Sequence, residues 1–360
     1  MSASNGAFKL EKFVDFSSSF PRSIDFFNGN LLVGLRNGSI LEFKDVLAAE
    51  SPVENCIMQS HFEGEIWGLE VVPEHNKVIT SGDDNKIMVY DIESHTFERK
   101  GTVSDHKSAN AAKLKAATAS TMSIYPANQQ ARAVCYSSVH NHVVVCSNLG
   151  KVSVREFGDL DKKVASLKDA QEWCEVARYS PDNKFLAVGS HDNNLYVYSV
   201  SDEGAYTLYK SFAKHNSFIT ALDWTSDSSY VRTVCGAYEK LYFNIVDKTH
   251  DAAGLTNTKD KVWATTTCKL GWSVQGVHPS SEDGTHVNQV QASPDGTLLV
   301  SCDDWGLVNV FNFPCLDNSH VSKSYSGHSE HVVRCAFTAD SQRMFTIGGQ
   351  DKALVQWKRK

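Results

Sequence analysis

The chain has 360 residues, of which 41% are hydrophobic and 21% charged, and its formal net charge is −7. This composition is typical of a soluble globular protein and argues against general binding to nucleic acid or anionic membranes, which need a broad basic field. No apolar run reaches the roughly 18 residues of a membrane-spanning helix, and the N-terminus has no signal-like run. We therefore expect a cytoplasmic protein.

A repeated pattern of strands and turns dominates the sequence, at a spacing of roughly 40 to 50 residues that is typical of propellers and solenoids. Each unit has an apolar strand, a polar turn, a second apolar strand, a tight turn and a third strand ending in an aromatic. The units are residues 23–43, 66–91, 131–157, 174–200, 219–245, 287–313 and 332–357. They predict an all-β fold, a seven-bladed β-propeller in which residues 1–360 form a single domain.

The last unit ends at Trp357 and supplies only three strands. We therefore expect an N-terminal strand within residues 8–16 to complete the last blade and close the ring, because closure removes exposed sheet edges. Two long connections, residues 101–130 and 248–286, interrupt the spacing and are predicted to be insertions.

The units resemble WD repeats, with Tyr90-Asp91 and Trp357-Lys358 at the position of the Trp-Asp dipeptide. In such a blade a loop His, a turn Asp, a Ser or Thr and the strand aromatic form a buried hydrogen-bonded network, because buried polar groups must satisfy one another. The spacing predicts this structural network for His61, Thr80, Asp84 and Tyr90 in the second unit, and for His328, Asp351 and Trp357 in the last.

Other units depart from this pattern. The fifth has His215 and Thr233, but Ala237 stands where Asp is expected. In the sixth, Asp304 is separated from the aromatic Phe311 by one extra residue. We expect these blades to depend more on strand packing.

The recurring His, Ser/Thr and Asp residues do not predict a hydrolase, because a catalytic triad needs one exposed, activated nucleophile rather than the same residue types at repeat spacing. We find no P-loop, HExxH or GxSxG motif. The nine cysteines include no C-x-x-C pair and predict reduced, buried thiols. We expect no enzyme activity, cofactor, metal or small-molecule substrate.

A more specific resemblance lies in YSPDNKFLAVGSHDNNLYVYSVSD, KHNSFITALDWTSDSSYV, WATTTCKLGWSVQGVHP and GGQDKALVQW, with LLVGLRNGSILEF and HFEGEIWGLEV upstream. These segments resemble the C-terminal propeller of the echinoderm microtubule-associated protein-like family. The resemblance implies a non-catalytic interaction platform in the cytoplasm, associated with the cytoskeleton, whose partner is tubulin or the microtubule. The alternative is a WD-repeat scaffold of a signalling, ubiquitin-ligase or ciliary complex without tubulin contact.

Partner binding is predicted at the end of the ring where the loops between the second and third strands meet those between blades. Exposed aromatic residues and Arg are the side chains that most often anchor an interface. The candidates are Arg36, Asp83, His191, Phe218, Tyr238, Trp305 and His331, of which Trp305 is the strongest.

The insertion at 101–130 carries Lys107, Lys113 and Lys115. It is either a basic projection that contacts the acidic surface of tubulin or a solvated surface loop.

The stretch at 261–286 has no WD-repeat equivalent and carries Trp263 and Trp272. We expect both rings to pack in a structural strap between the fifth and sixth blades, with exposed binding anchors as the alternative. If either ring is fully buried, its replacement by Ala should lower the free energy of unfolding by roughly 3 to 5 kcal/mol.

Overall fold

The computed structural model describes residues 2–4, 7–9, 19–103, 129–278, 285–317 and 323–360. Seven antiparallel sheets follow the seven predicted units; six have four strands and the last has three. The prediction of an all-β propeller with seven sheet units is confirmed.

Two short strands precede the sheets and pair with each other: β1 (Ser2–Ser4) and β2 (Ala7–Lys9). The first three sheets contain β3 (Pro21–Phe27), β4 (Asn30–Leu35), β5 (Ile40–Phe43) and β6 (Asn55–Met58); β7 (Ile66–Val72), β8 (Lys77–Gly82), β9 (Lys86–Asp91) and β10 (Phe97–Thr102); and β11 (Ala131–Ser137), β12 (His142–Ser147), β13 (Val152–Glu156) and β14 (Lys163–Leu167).

The fourth and fifth sheets contain β15 (Cys174–Tyr179), β16 (Phe185–Ser190), β17 (Asn194–Val200) and β18 (Tyr206–Ala213); and β19 (Ile219–Trp224), β20 (Tyr230–Cys235), β21 (Lys240–Asn244) and β22 (Thr249–His250). The last two contain β23 (Val287–Ala292), β24 (Leu298–Asp303), β25 (Leu307–Asn312) and β26 (Lys323–Ser326); and β27 (Val332–Phe337), β28 (Arg343–Gly348) and β29 (Leu354–Lys358). The described helical segments are α1 (Gly254–Asn257) and the 3-10 turns Pro73–His75 and Gln275–Val277.

In the second to seventh sheets, most residues of the middle strands are buried because neighbouring segments cover both faces. Every residue of β12 is buried, and its VVVC run belongs to cores shared with the second and fourth sheets. A strand covered on both faces has a continuous apolar run rather than simple alternation. Asn141 and Asn183 occupy left-handed turns between the first and second strands, a conformation that Asn tolerates well.

The first strands of the second, third, fourth, sixth and seventh sheets line a central cavity of about 50 Å3. Polar side chains from four sheets line it: Glu70, Arg178, Gln289 with Gln291, and Arg334. Burial raises the pKa of the Glu70 carboxyl to about 7, and the nearby Arg178 opposes this shift.

The seventh sheet packs directly on the second. Ile66 and Leu69 share one apolar core with Phe345 and Ile347. Arg334 reinforces the contact, because its Nε donates to the carbonyl oxygen of Trp67 at 2.8 Å.

The first sheet is arranged differently from the other six. Every residue of β3 is exposed, and Val33, Leu41 and Phe43 form a separate small core. The segment after β6 joins this sheet to the second, where Gln59 accepts hydrogen bonds from Lys100 and Tyr90. Shared cores join the second to fifth sheets, the sixth to the seventh and the seventh to the second, and the first sheet attaches beside β10 of the second.

The predicted closing strand at residues 8–16 is only partly within the described chain. Strand β2 covers residues 8 and 9 and pairs with β1, and residues 10–16 lie outside the described ranges. Closure of the last sheet by an N-terminal strand therefore stays a prediction, as does the assignment of the whole chain to one domain.

The stretch after α1 runs between the fifth and sixth sheets. Trp263 pairs with Thr225 at the end of β19, and the amide of Ala292 in the sixth sheet donates to Thr266 O at 3.2 Å. Cys268 and Leu270 pack against Ala221 and Val234 of the fifth sheet. We call residues 263–270 the strap.

A buried carboxylate explains the Thr-rich composition of the strap. Asp223 is buried and accepts hydrogen bonds from the Thr265 hydroxyl, the Thr267 amide and hydroxyl, and the Cys268 amide, at 2.7 to 3.1 Å. Arg232 completes this arrangement with an ion pair to Asp223 at 3.0 Å.

The two tryptophans of this region differ. Trp263 is half-buried, with the Arg232 guanidinium 4.2 Å from the centre of its ring. Trp272 is 65% exposed, so the expectation that both rings pack is wrong for Trp272. It lies beyond the strap, beside Gly271, and does not enter the sheet interface.

Two hydrogen-bonded networks lie at the predicted places. His61 contacts Asp84 at 2.8 Å and Thr80 at 2.9 Å. The Tyr90 hydroxyl interacts with the Thr80 side chain and also donates to the carbonyl of Gln59. The ring nitrogens of His61 are thus both engaged inside the protein.

In the last sheet, His328 contacts Asp351 at 3.0 Å and Thr346 at 2.8 Å. The Trp357 indole donates to the same Thr346 hydroxyl at 2.8 Å. Thr346 is therefore a fourth member of the network that the sequence pattern missed.

Candidate protein-interaction face

One end of the ring collects the turns between second and third strands and the connections that enter each first strand. We call it the upper face. Six predicted partner residues lie in these turns and connections of the second to seventh sheets: Asp83, His191, Phe218, Tyr238, Trp305 and His331. Arg36 is exposed in the equivalent turn of the first sheet, which stands apart from the ring cores.

A stacked arginine forms the centre of the upper face. The Arg132 guanidinium lies between two indole rings, 4.3 Å from the centre of Trp67 and 4.1 Å from the centre of Trp173. Arg132 also forms an ion pair with Asp83 at 3.0 Å, and Asp83 accepts a hydrogen bond from the Trp67 indole at 3.1 Å. The guanidinium is buried, which lowers the pKa of Arg132, while Asp83 opposes that shift.

Aromatic stacking continues across the fourth and fifth sheets. His191 lies 5.0 Å from Trp173 and stacks on Phe218 at 4.6 Å between ring centres. Glu175 accepts a short hydrogen bond from His191 Nε2. These ring and charge contacts restrict the side chains of the row, so this part of the face is preorganised.

Two further aromatic side chains on the upper face are largely exposed. Tyr238 is 60% exposed and Trp305 is 62% exposed, each in the turn after the second strand of its sheet. Large exposed rings of this kind lose little conformational entropy on binding and are typical interface anchors.

The remaining predicted residues have mainly internal contacts. Asp83 pairs with Arg132 and accepts hydrogen bonds from the Trp67 indole and the amide of Glu65. His331 lies 3.4 Å from a carboxylate oxygen of Glu65. These two side chains therefore mainly position their neighbours on the upper face. Lys107, Lys113 and Lys115 lie outside the described residues.

Sequence reasoning missed Trp67, Arg132 and Trp173, the three side chains of the central stack. Each occupies or adjoins the start of a first strand, where an aromatic or arginine looks like an ordinary strand residue. Only the placement of three neighbouring sheets brings these rings and the guanidinium together.

Within the described chain, no helix is long and apolar enough to cross a membrane. All nine cysteines are free thiols, and eight of them are buried. Cys56 is partly exposed.

Comparisons with known proteins identify the family. Residues 66–359 match the family model "Echinoderm microtubule-associated protein second beta-propeller". The ciliary WD repeat-containing protein ctxp80 of Euplotoides octocarinatus is 42% identical over 98% of this chain and 47% of its own length. Human echinoderm microtubule-associated protein-like 3 is 33% identical over 91% of this chain and 33% of its own length.

A chain of the solved mitotic checkpoint complex superposes with a TM-score of 0.50 over 100% of this chain and 98% of its own, at 12% identity, which supports the fold alone. This chain spans about half or less of the length of the curated relatives named here. Because the family model covers residues 66–359, the chain belongs to the family of the second β-propeller of echinoderm microtubule-associated proteins.

Proposed function

We propose that this chain is a non-catalytic protein-interaction platform that binds tubulin or microtubules through its upper face, in the cytoplasm at the cytoskeleton. The observation that carries the proposal is the set of exposed aromatic side chains on that face: Trp173, Phe218, Tyr238 and Trp305. The names of several relatives, which describe microtubule-associated proteins, support the choice of partner.

The charge on the face supports a protein partner of mixed polarity. Arg132 lies among Asp83 and the neighbouring carboxylates Glu65 and Glu175. Such a surface combines apolar anchors with paired charges, which favour specificity and orientation over general attraction to an anionic polymer.

The second candidate is a WD-repeat scaffold in another assembly, without tubulin contact. The 42% identity to a ciliary WD repeat-containing protein favours a ciliary setting for this alternative. Both candidates use the chain as a binding surface, and they differ in the partner.

Co-sedimentation with microtubules and pull-down with unpolymerised tubulin test the proposal. Tyr238→Asn with Trp305→Ser removes two exposed anchors, and Asn suits the left-handed backbone of Tyr238, whose φ is 59°. The loss of two interface anchors is expected to weaken binding at least about 10-fold.

The matched control is Val139→Ser with Val246→Ser, which removes exposed apolar side chains from the opposite end of the ring. Tubulin binding that is equally weakened by both pairs would contradict the upper face as the contact surface. Failure of the unmodified chain to bind tubulin in either form, with a different stable complex recovered from ciliated cells, would favour the second candidate.

A further inference from the structure

We propose that His215, Cys235 and Glu239 of the fifth sheet bind a zinc ion. The three residues offer one nitrogen, one sulfur and one oxygen ligand atom, all within 4.8 Å of one another. Imidazole, thiolate and carboxylate are the ligand types that zinc takes in proteins.

The cluster arises where the fifth sheet departs from the network of the second and seventh sheets. Cys235 pairs with Ile219 in the register in which Gly82 pairs with Ile66 and Gly348 with Val332. A Cβ on Gly82 would lie 3.1 Å from His61 Nδ1. The cysteine of the fifth sheet therefore puts its side chain at the Nδ1 edge of the loop histidine.

The usual partner of that nitrogen is missing in the fifth sheet. Ala237 replaces the turn aspartate that holds Nδ1 of His61. His215 Nδ1 is buried and, within the part of the chain that the structure describes, has no hydrogen-bond partner. Glu239 Oε2 lies 3.7 Å from this nitrogen, which is an ion-pair distance for a protonated ring and too long for a normal hydrogen bond.

The spacing is that of ligands around one small ion. Zinc at about 2.1 Å from nitrogen and oxygen and about 2.3 Å from sulfur, in tetrahedral geometry, separates its ligand atoms by about 3.4 to 3.6 Å. The observed separations from Glu239 Oε2 are 3.7 Å to His215 Nδ1 and 3.4 Å to Cys235 Sγ, the second being a thiol hydrogen bond that zinc binding would replace. All three ligand atoms lie within 4.8 Å of one another, so side-chain rotations that draw them closer would place them around one ion, with water as the fourth ligand beside the partly exposed Glu239.

Contacts behind the ligands favour the same assignment. His215 Nε2 lies 2.5 Å from the Thr233 hydroxyl. In the seventh sheet the equivalent Thr346 hydroxyl accepts from Trp357, whereas Phe243 in the fifth sheet has no donor to offer. The Thr233 hydroxyl oxygen is thus able to accept a hydrogen bond from Nε2–H, which leaves the lone pair on Nδ1 for a metal.

The metal would tie together two parts of the upper face. His215 lies in the connection that carries Phe218, and Cys235 and Glu239 flank the turn that carries Tyr238. On binding, the Cys235 thiol loses its proton to solvent and the thiolate bonds to the ion. The assignment does not depend on the identity of the protein partner.

Elemental analysis and cobalt substitution test this site. The chain, purified without chelator, is expected to retain about one zinc per molecule. Co2+ added to the zinc-free chain is expected to give a thiolate-to-cobalt charge-transfer band together with intense visible bands of tetrahedral cobalt. Thr233→Val keeps all three ligands and is expected to weaken metal binding about 10- to 100-fold.

The decisive variant combines Cys235→Gly with Ala237→Asp. These substitutions introduce the residue types of Gly82 and Asp84 in the second sheet, so the variant is expected to fold without the metal cluster. It should lose zinc and the charge-transfer band while its thermal unfolding stays cooperative. The matched control, Cys302→Ala, removes another buried thiol and should keep both signals. The proposal would be overturned if Co2+ added to the zinc-free chain gave no thiolate-to-cobalt band. It would also be overturned if Cys302→Ala removed that band as fully as the double variant does.

Discussion

Arg232 and Asp223 form an ion pair inside the fifth sheet, with Arg232 Nε 3.0 Å from Asp223 Oδ2. Both side chains are buried, and the strap supplies the remaining donors to the carboxylate. A buried ion pair stabilises a fold only when further hydrogen bonds offset the loss of hydration, which is the role of the Thr-rich strap.

Asp223→Asn is expected to lower the free energy of unfolding by about 3 to 5 kcal/mol, because Arg232 is left buried without its counter-charge. Urea denaturation measures this change, with the exposed Asp260→Asn as control. A loss as small as that of the control would contradict the structural role of the pair.

The same pair predicts acid sensitivity. Burial by itself raises the pKa of Asp223, but Arg232 and hydrogen bonds from the strap outweigh it and lower the pKa to about 2. A carboxyl whose folded pKa is depressed contributes stability above its unfolded pKa of about 3.9, and this is lost as the pH falls toward 2. Unfolding free energies measured from pH 5 to pH 2 should fall more steeply for the unmodified chain than for Asp223→Asn.

The two tryptophans near the strap are expected to respond differently to replacement by Ala. Trp263→Ala should cost about 2 kcal/mol or more, because it removes the ring that covers the Arg232 guanidinium. Trp272→Ala should stay within about 0.5 kcal/mol, as is usual for an exposed side chain. Equal losses in thermal or urea unfolding would show that Trp272 packs in solution.

Arg132→Lys should distinguish the contribution of the positive charge at residue 132 from that of the planar guanidinium. Lysine keeps the positive charge but loses the planar stacking between Trp67 and Trp173, so we expect destabilisation of about 1 to 2 kcal/mol. Tryptophan fluorescence should shift to longer wavelength as the rings become more hydrated. Unchanged stability and emission would indicate that the stack is not maintained in solution.

Deletion of residues 1–16 tests closure of the ring. If an N-terminal strand supplies the fourth strand of the seventh sheet, the truncated chain should not fold as a soluble protein, because an open sheet edge promotes aggregation. Circular dichroism and sedimentation provide the measurement. A soluble truncated chain with unchanged thermal stability would rule out this closure.

Charge reversal in the insertion distinguishes its two interpretations. Lys107→Glu, Lys113→Glu and Lys115→Glu together should reduce microtubule co-sedimentation, and the reduction should shrink at high salt, if the segment contacts acidic tubulin. Binding that is unchanged at low salt would identify the segment as a solvated surface loop.

The sequence by itself determined the sheets and much of their internal chemistry. Repeat spacing located all seven units, since alternating strands and tight turns are local properties. The contacts of His61 with Asp84 and Thr80 could be predicted because these residues have fixed sequence spacings within one repeat.

Only the tertiary structure decided what lies between the sheets. The stack of Trp67, Arg132 and Trp173 joins three sheets, and the role of the strap depends on Asp223, more than 40 residues earlier in the chain. Exposure of β3 and the direct contact between the second and seventh sheets also depend on how whole sheets pack. Local periodicity specifies a strand and its turn, but contacts between blades depend on which surfaces the assembled ring brings together.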